Sequence, residues 1–283
     1  MSKSLTSNAL ASFDGEVKHA YQMGGVLRKM VRVKTGIVGS THRFPKMGKG
    51  AATPRVPQTD VVPMAVAHTN ATATLTDWNA PEYTDIFDQA KVDYQERAEL
   101  AETIAGAIGR REDQLILDAL DTASAGGTVS NDIGGTDSGL NVTKLRRASR
   151  LLNVLGVPKT DRWFVGHAIG EEQLLGETEV TSSDFNVVKA LVQGEIKSFL
   201  TFQYEFLEDR DEGGVPVDGS SDRTNYAFHG GQRGSTGLAV GIDFRTEVNY
   251  IAEKTSWLAN GLFSAGSVVL DENGLIDVTT RES

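Results

Sequence analysis

Five histidines, His19, His42, His68, His167 and His229, are the side chains best suited to ligate a metal or carry a proton near neutral pH. Their spacing suits neither task, because no H-E-x-x-H pair occurs and no carboxylate stands at ligand spacing from any of them. A second candidate is the acidic run Glu208, Asp209, Asp211 and Glu212, which could supply a general acid and base or a cation site. Its flanking glycines and serines describe a solvated loop instead. Lys49 after Gly48 lacks the G-x-x-x-x-G-K-[ST] spacing that cradles phosphate, and Gly234, Ser235 and Gly237 do not form a nucleophile elbow. With no cysteine in 283 residues, thiolate metal sites and disulfides are impossible. Two glycosylation triplets, at Asn70 and Asn141, carry no meaning without a secretory signal, and none is seen. The residues therefore imply no cofactor, no metal and no catalytic centre.

What remains is charge and its distribution. The net charge is −10, yet residues 1–60 hold ten Lys/Arg against three acids, so this end stands at +7 and the rest at −17. A basic arm on an acidic body suits nucleic acid or a second copy of the same chain. Aromatic residues interleaved with basic ones are missing from the arm, which argues against sequence-specific nucleic-acid binding. No stretch approaches 18 uninterrupted apolar residues, so no membrane segment is expected.

The elements that would position these charges can be read in order. Residues 1–30 have little periodicity and read as an arm. Val31, Val33 and Ile37 alternate with polar residues, as Ala71, Ala73 and Leu75 do later, and the two runs read as strands of one long hairpin. Between them lie Pro45, Pro54, Pro57 and Pro63, which cannot donate to a ladder, so the connecting segment is irregular. An isolated ribbon is marginal in water and should find its support outside its own subunit. A short strand, TDIF, then leads to a proline-free helix from about Asp93 to Leu120. Leu100, Ile104, Ile108, Leu115 and Ala119 form its dry face, and Glu96, Glu99, Arg110, Arg111 and Glu112 its wet one. Gly106 and Gly109 permit a bend. At about 1.5 Å per residue such a helix spans roughly 40 Å.

The glycine- and serine-rich stretch Ser124 to Gly139 reads as a linker. A second helix follows, with Leu145, Ala148, Leu152 and Leu155 on one face and Gly156 as its stop. A strand around Trp163 to Val165, a short helix EEQLL and strand-like FLTFQYEFL come next. After the polar loop around residues 208–223 the chain returns to short strands, with Gly274 closing a DENG turn that reads as a hairpin.

This order, with HRFPKMGKGAA, RAELAETIAGAIGRREDQLILDAL, LLNVLGVPKTDRWFVG, NYAFHGG and WLANGLFSAGSVVLDENGLIDV, resembles the tailed-bacteriophage major capsid proteins of the Hong Kong 97 type. The resemblance implies an α+β fold with an N-terminal arm (1–30), an extended loop (31–78) and a peripheral domain with a spine helix (79–125). An axial domain (126–236) and a second peripheral part (237–283) complete it. It further implies hexamers and pentamers closing into an icosahedral or elongated head around double-stranded DNA, assembled in the host cytoplasm with a scaffolding protein, a portal and possibly a decoration protein. Arg43, Lys46, Lys49 and Arg55 then fall in the extended loop and should meet acidic ground on a neighbouring copy. HGGQRGSTGLAVG is richer in glycine than the family's usual segment, which argues against a helix there. A nanocompartment shell of the same fold, as in encapsulins, and a soluble acidic hydrolase built on Glu208 to Glu212 are the competing readings.

Overall fold

A computed structural model describes residues 25–89, 96–177, 198–209, 212–217 and 221–282. The expected arm, residues 1–30, falls mostly outside the described residues. The described chain enters through a 3-10 turn, Leu27–Met30, and a short strand β1 (Arg32–Lys34). Next come β2 (Thr41–Met47), β3 (His68–Thr74), β4 (Thr76–Asp85), α1 (Ile86–Gln89) and the long helix α2 (Glu96–Thr122). After β5 (Gly127–Val129) and α3 (Val142–Val154) the chain forms β6 (Arg162–His167) and α4 (Ala168–Leu175). The remaining strands are β7 (Ser198–Phe199), β8 (Phe202–Leu207), β9 (Asp222–His229), β10 (Thr236–Ile251), β11 (Ser256–Val269) and β12 (Leu275–Arg281).

These strands build two sheets and a ribbon, in the orders β1-β10-β11-β4, β5-β12-β9-β6-β8-β7 and β2-β3. Helix α2 crosses both sheets, because Ile108, Ile116, Leu117 and Leu120 share one core with Leu238, Val240 and Phe263 of the first and Val165, Tyr226 and Leu275 of the second. The six-stranded sheet is covered on its other face by α3, whose Leu145, Ala148 and Leu152 meet Phe164, Ala227, Ile276 and Val278. The period-2 alternation does this sorting: Tyr226 and Phe228 face α2 while Ala227 faces α3.

Several elements differ from the sequence expectation, each for a non-local reason. The first strand of the ribbon is Thr41–Met47, in register with His68–Thr74, and not the run from Val31. That earlier run is drawn away to pair in parallel with the start of β10, Arg32 opposite Gly237. Pro45 is tolerated inside β2 because a two-stranded ribbon leaves each strand an open edge. TDIF is the end of a ten-residue strand followed by a helical turn. The DENG turn joins two sheets and does not close a hairpin: β11 belongs to the first and β12 to the second, next to β9. Residues 237–283, expected as one peripheral part, are thus shared between the two sheets. The Ser124 to Gly139 stretch supplies β5, paired with β12, and buries Val129.

The spine helix appears where expected, but its dry stripe is rotated. Ile104, Ile108, Ile116, Leu117 and Leu120 are buried, together with Glu112 and Asp113, so Glu112 is not on the wet side. Gly109 has a packing role: a Cβ on Gly25 would sit 2.6 Å from the Gly109 carbonyl oxygen, so the two backbones touch as the chain crosses the helix. No helix among the described residues is long and apolar enough to cross a membrane.

Candidate assembly surface

The ribbon is seated by one aromatic ring. Phe44 is 1% exposed and packs with Ala73 and Ala239, ringed by Ile37, Leu75, Val268 and Leu270. His42 lies edge-on to it, with ring centres 4.6 Å apart. Beyond this seat the character changes abruptly. Residues 48–67 hold no strand or helix, and Val61 is 89% exposed with Val56, Val62 and Met64 also open.

The four basic residues expected to face a neighbour do not behave alike. Arg43, Lys49 and Arg55 are exposed and have no ionic partner among the described residues. Lys46 differs, because its Nζ lies 2.9 Å from Oδ1 of Asp271 in the same chain. Burial raises the Asp271 carboxyl, but the Lys46 ammonium outweighs it and holds the group below its ordinary range. Lys49 borders a cleft shared with His229, Arg233 and Asp271. The base of the ribbon is therefore supported at home, contrary to the expectation that all its support lies elsewhere, while its distal half is not.

A second cluster, missed in the sequence, fixes the root of the arm. Asp113 accepts hydrogen bonds from the backbone N–H groups of Val26 and Leu27, the latter at 2.9 Å. Arg28 donates twice to Asp243, at 2.8 and 3.0 Å, and lies 3.2 Å from Glu112. Burial pushes the Glu112 carboxyl up to about 7, against the pull of Arg28 and with help from Asp113 and Asp243. The helix spacing carried no signal for this cluster, since residues 112 and 113 lie about 100° apart and both fit on a polar face of ordinary width.

The candidates for chemistry are dispersed. Glu212 pairs with Arg111, while Asp209, 84% exposed, faces Arg223 at 3.8 Å, so the acidic run is divided between two arginines. Asp211 lies outside the described residues, as does His19. His167 caps α4 by accepting from the Ile169 N–H, and burial followed by Arg223 lowers its pKa. Ser235 spends its hydroxyl on the His229 carbonyl. Among the described residues no three His, Asp or Glu gather as a metal site would need.

This architecture is matched by known proteins. The family model described as phage capsid protein matches residues 5–282. The chain belongs to the phage capsid protein family. Its fold is similar to that of the capsid of cyanophage P-SCSP1u, at 16% identity over 100% of this chain and 96% of that one, with a TM-score of 0.78. It is similar also to the head structure of Helicobacter pylori bacteriophage KHP40 (11% identity, 100% and 98% covered, TM-score 0.76) and to Mycobacterium phage Che8 (17%, 96% and 97%, 0.70). A comparison with curated protein sequences finds no match. This capsid protein is a structural subunit of a phage head, not an enzyme, and its place is the virion. The Hong Kong 97-type fold expected from the sequence is the fold these structures share, and the readings as a hydrolase and as a nanocompartment shell are set aside.

Proposed function

We propose that copies of this capsid protein join as hexamers and pentamers and close into a head around double-stranded DNA, with the ribbon of each copy lying across the next. The observation that carries this reading is the division of the ribbon: Phe44 seats its base, while residues 48–67 leave Val56, Val61, Val62 and Met64 in water, and Arg43, Lys49 and Arg55 have no ionic partner among the described residues. Exposed apolar side chains grouped on one projecting segment mark a contact surface. The positive charge beside them directs that segment to a body whose own balance is −17.

In this reading α2 with the four-stranded sheet forms the peripheral body. The six-stranded sheet with α3 and α4 forms the axial one, and residues 1–30 serve as the arm. A scaffolding protein, a portal and possibly a decoration protein complete the head, and assembly takes place in the host cytoplasm. Replacing Arg43, Lys49 and Arg55 together by glutamate tests the interface, with Lys46 left in place because its partner is internal. The purified variant should melt like the wild type yet form no closed shells by negative-stain microscopy. Normal heads from the triple variant would refute the charge-led interface.

A further inference from the structure

Within an acidic chain, α3 stands apart. Between Val142 and Val154 it carries Lys144, Arg146, Arg147 and Arg150 and not a single Asp or Glu. Lys144 points inward, fully buried, and donates to the carbonyls of Ser138 and Thr279. The other three line an open hollow on the outer face, together with Thr143 and half-buried Ile133. Arg147 and Arg150 are exposed, one helical turn apart, and no ion pair engages either among the described residues.

The platform under this row is stiff. Asn141 caps the helix by accepting from the Lys144 N–H at 2.9 Å, and Leu145, Ala148 and Leu152 are fully buried. Arg162, also fully buried, reaches the far end of the helix, donating to Asn153 Oδ1 at 2.8 Å and to the Val157 and Pro158 carbonyls at 2.7 Å. It places a further cation behind the helix with no carboxylate among the acceptors of its hydrogen bonds.

We propose that the outer face of α3 binds the phosphate backbone of duplex DNA without reading its sequence, and so forms part of the inner wall of the head. The proposal rests on the reading that the head encloses DNA. An acidic protein segment is the other anionic occupant, but protein partners depend on buried apolar anchors, and the hollow offers only Ile133. Phosphates need none, since contact with arginine is driven by release of condensed counterions. Guanidinium groups suit phosphate by shape as well as charge. The negative balance elsewhere keeps such contacts few, and DNA held at isolated points can still leave.

The experiment measures binding of the full-length subunit to a labelled duplex of random sequence by fluorescence anisotropy over a series of salt concentrations. Each phosphate contact contributes about 0.9 to the slope of log affinity against log salt, so R147A/R150A should lower that slope by about 2. R147K/R150K should keep most of it, and R233A, one charge lost at another exposed position, should leave it unchanged where R147A or R150A alone lowers it by about 1. If the double variant fails to fold, R147A and R150A singly should each remove about half of the effect. Absence of wild-type binding, equal losses in R233A, or stronger binding of polyglutamate than of duplex would overturn the proposal. Negative-stain imaging of the same preparations separates the two readings: failure of wild-type subunits to form shells counts against the assembly proposal, while the anisotropy series judges α3 by itself.

Discussion

Glu112 shows how a single side chain can be misplaced by pattern and then become informative. Counting along the helix puts it with the wet residues, yet it is buried beside Asp113, and the cause is the chain crossing from Gly25 to Leu27, which the helix sequence does not announce. Its carboxyl is raised from 4.5 to about 7, so the folded protein holds the proton more tightly than the unfolded chain does. Stability is therefore highest at pH below the unfolded value, falls as pH rises from about 4.5 to about 7, and is level above that. Glu112→Gln has no proton to lose and should melt higher than the wild type at pH 8, by at most about 3 kcal/mol, with the advantage gone near pH 4.5. Thermal unfolding of both proteins at the two pH values measures this; an equal difference at both would refute it. By contrast, the reading as a structural subunit and not an enzyme rests on the family match, and of the side chains weighed for chemistry His167 caps α4 while Glu212 and Asp209 face separate arginines.

Among the elements, those stabilised by local rules were read well. The stripe of α3 and its stop at Gly156, which adopts φ +77°, follow from spacing and from glycine's freedom in the left-handed region. Asn141→Ala should cost about 1 kcal/mol for the lost cap, measured by denaturant unfolding. The loss should exceed that ordinary value because the same side chain also bonds the Ile133 carbonyl and Ser138. Strand pairing was less legible, since β1 answers to a strand some two hundred residues later and the DENG turn has hairpin chemistry without a hairpin. The ribbon's seat depends on Phe44, whose small cluster is separate from the two main cores. Phe44→Ala should cost about 3–5 kcal/mol locally. Limited proteolysis should then cut within residues 48–67 faster, while near-ultraviolet circular dichroism of the two sheets is retained; unchanged cleavage would show that the ring is not the anchor.

For the molecule as a whole, the uneven charge was the strongest signal in the sequence, and the order of elements gave the architecture. The grouping of strands into two sheets was hidden, because a strand's address depends on which face of α2 is already occupied. If copies meet through exposed arginine and lysine, raising salt from 0.05 to 0.5 M should slow shell formation, as charges further apart than about 10 Å are screened already at 0.1 M. Light scattering during assembly measures this, and a salt-independent rate would point to apolar contact alone. One consequence follows from the position of β12, which lies between β5 and β9 although it comes after every other strand of its sheet in the chain. While a ribosome is still translating, that sheet has a gap in its second place. A nascent polypeptide thus lacks a finished six-stranded sheet until residues 275–281 have emerged.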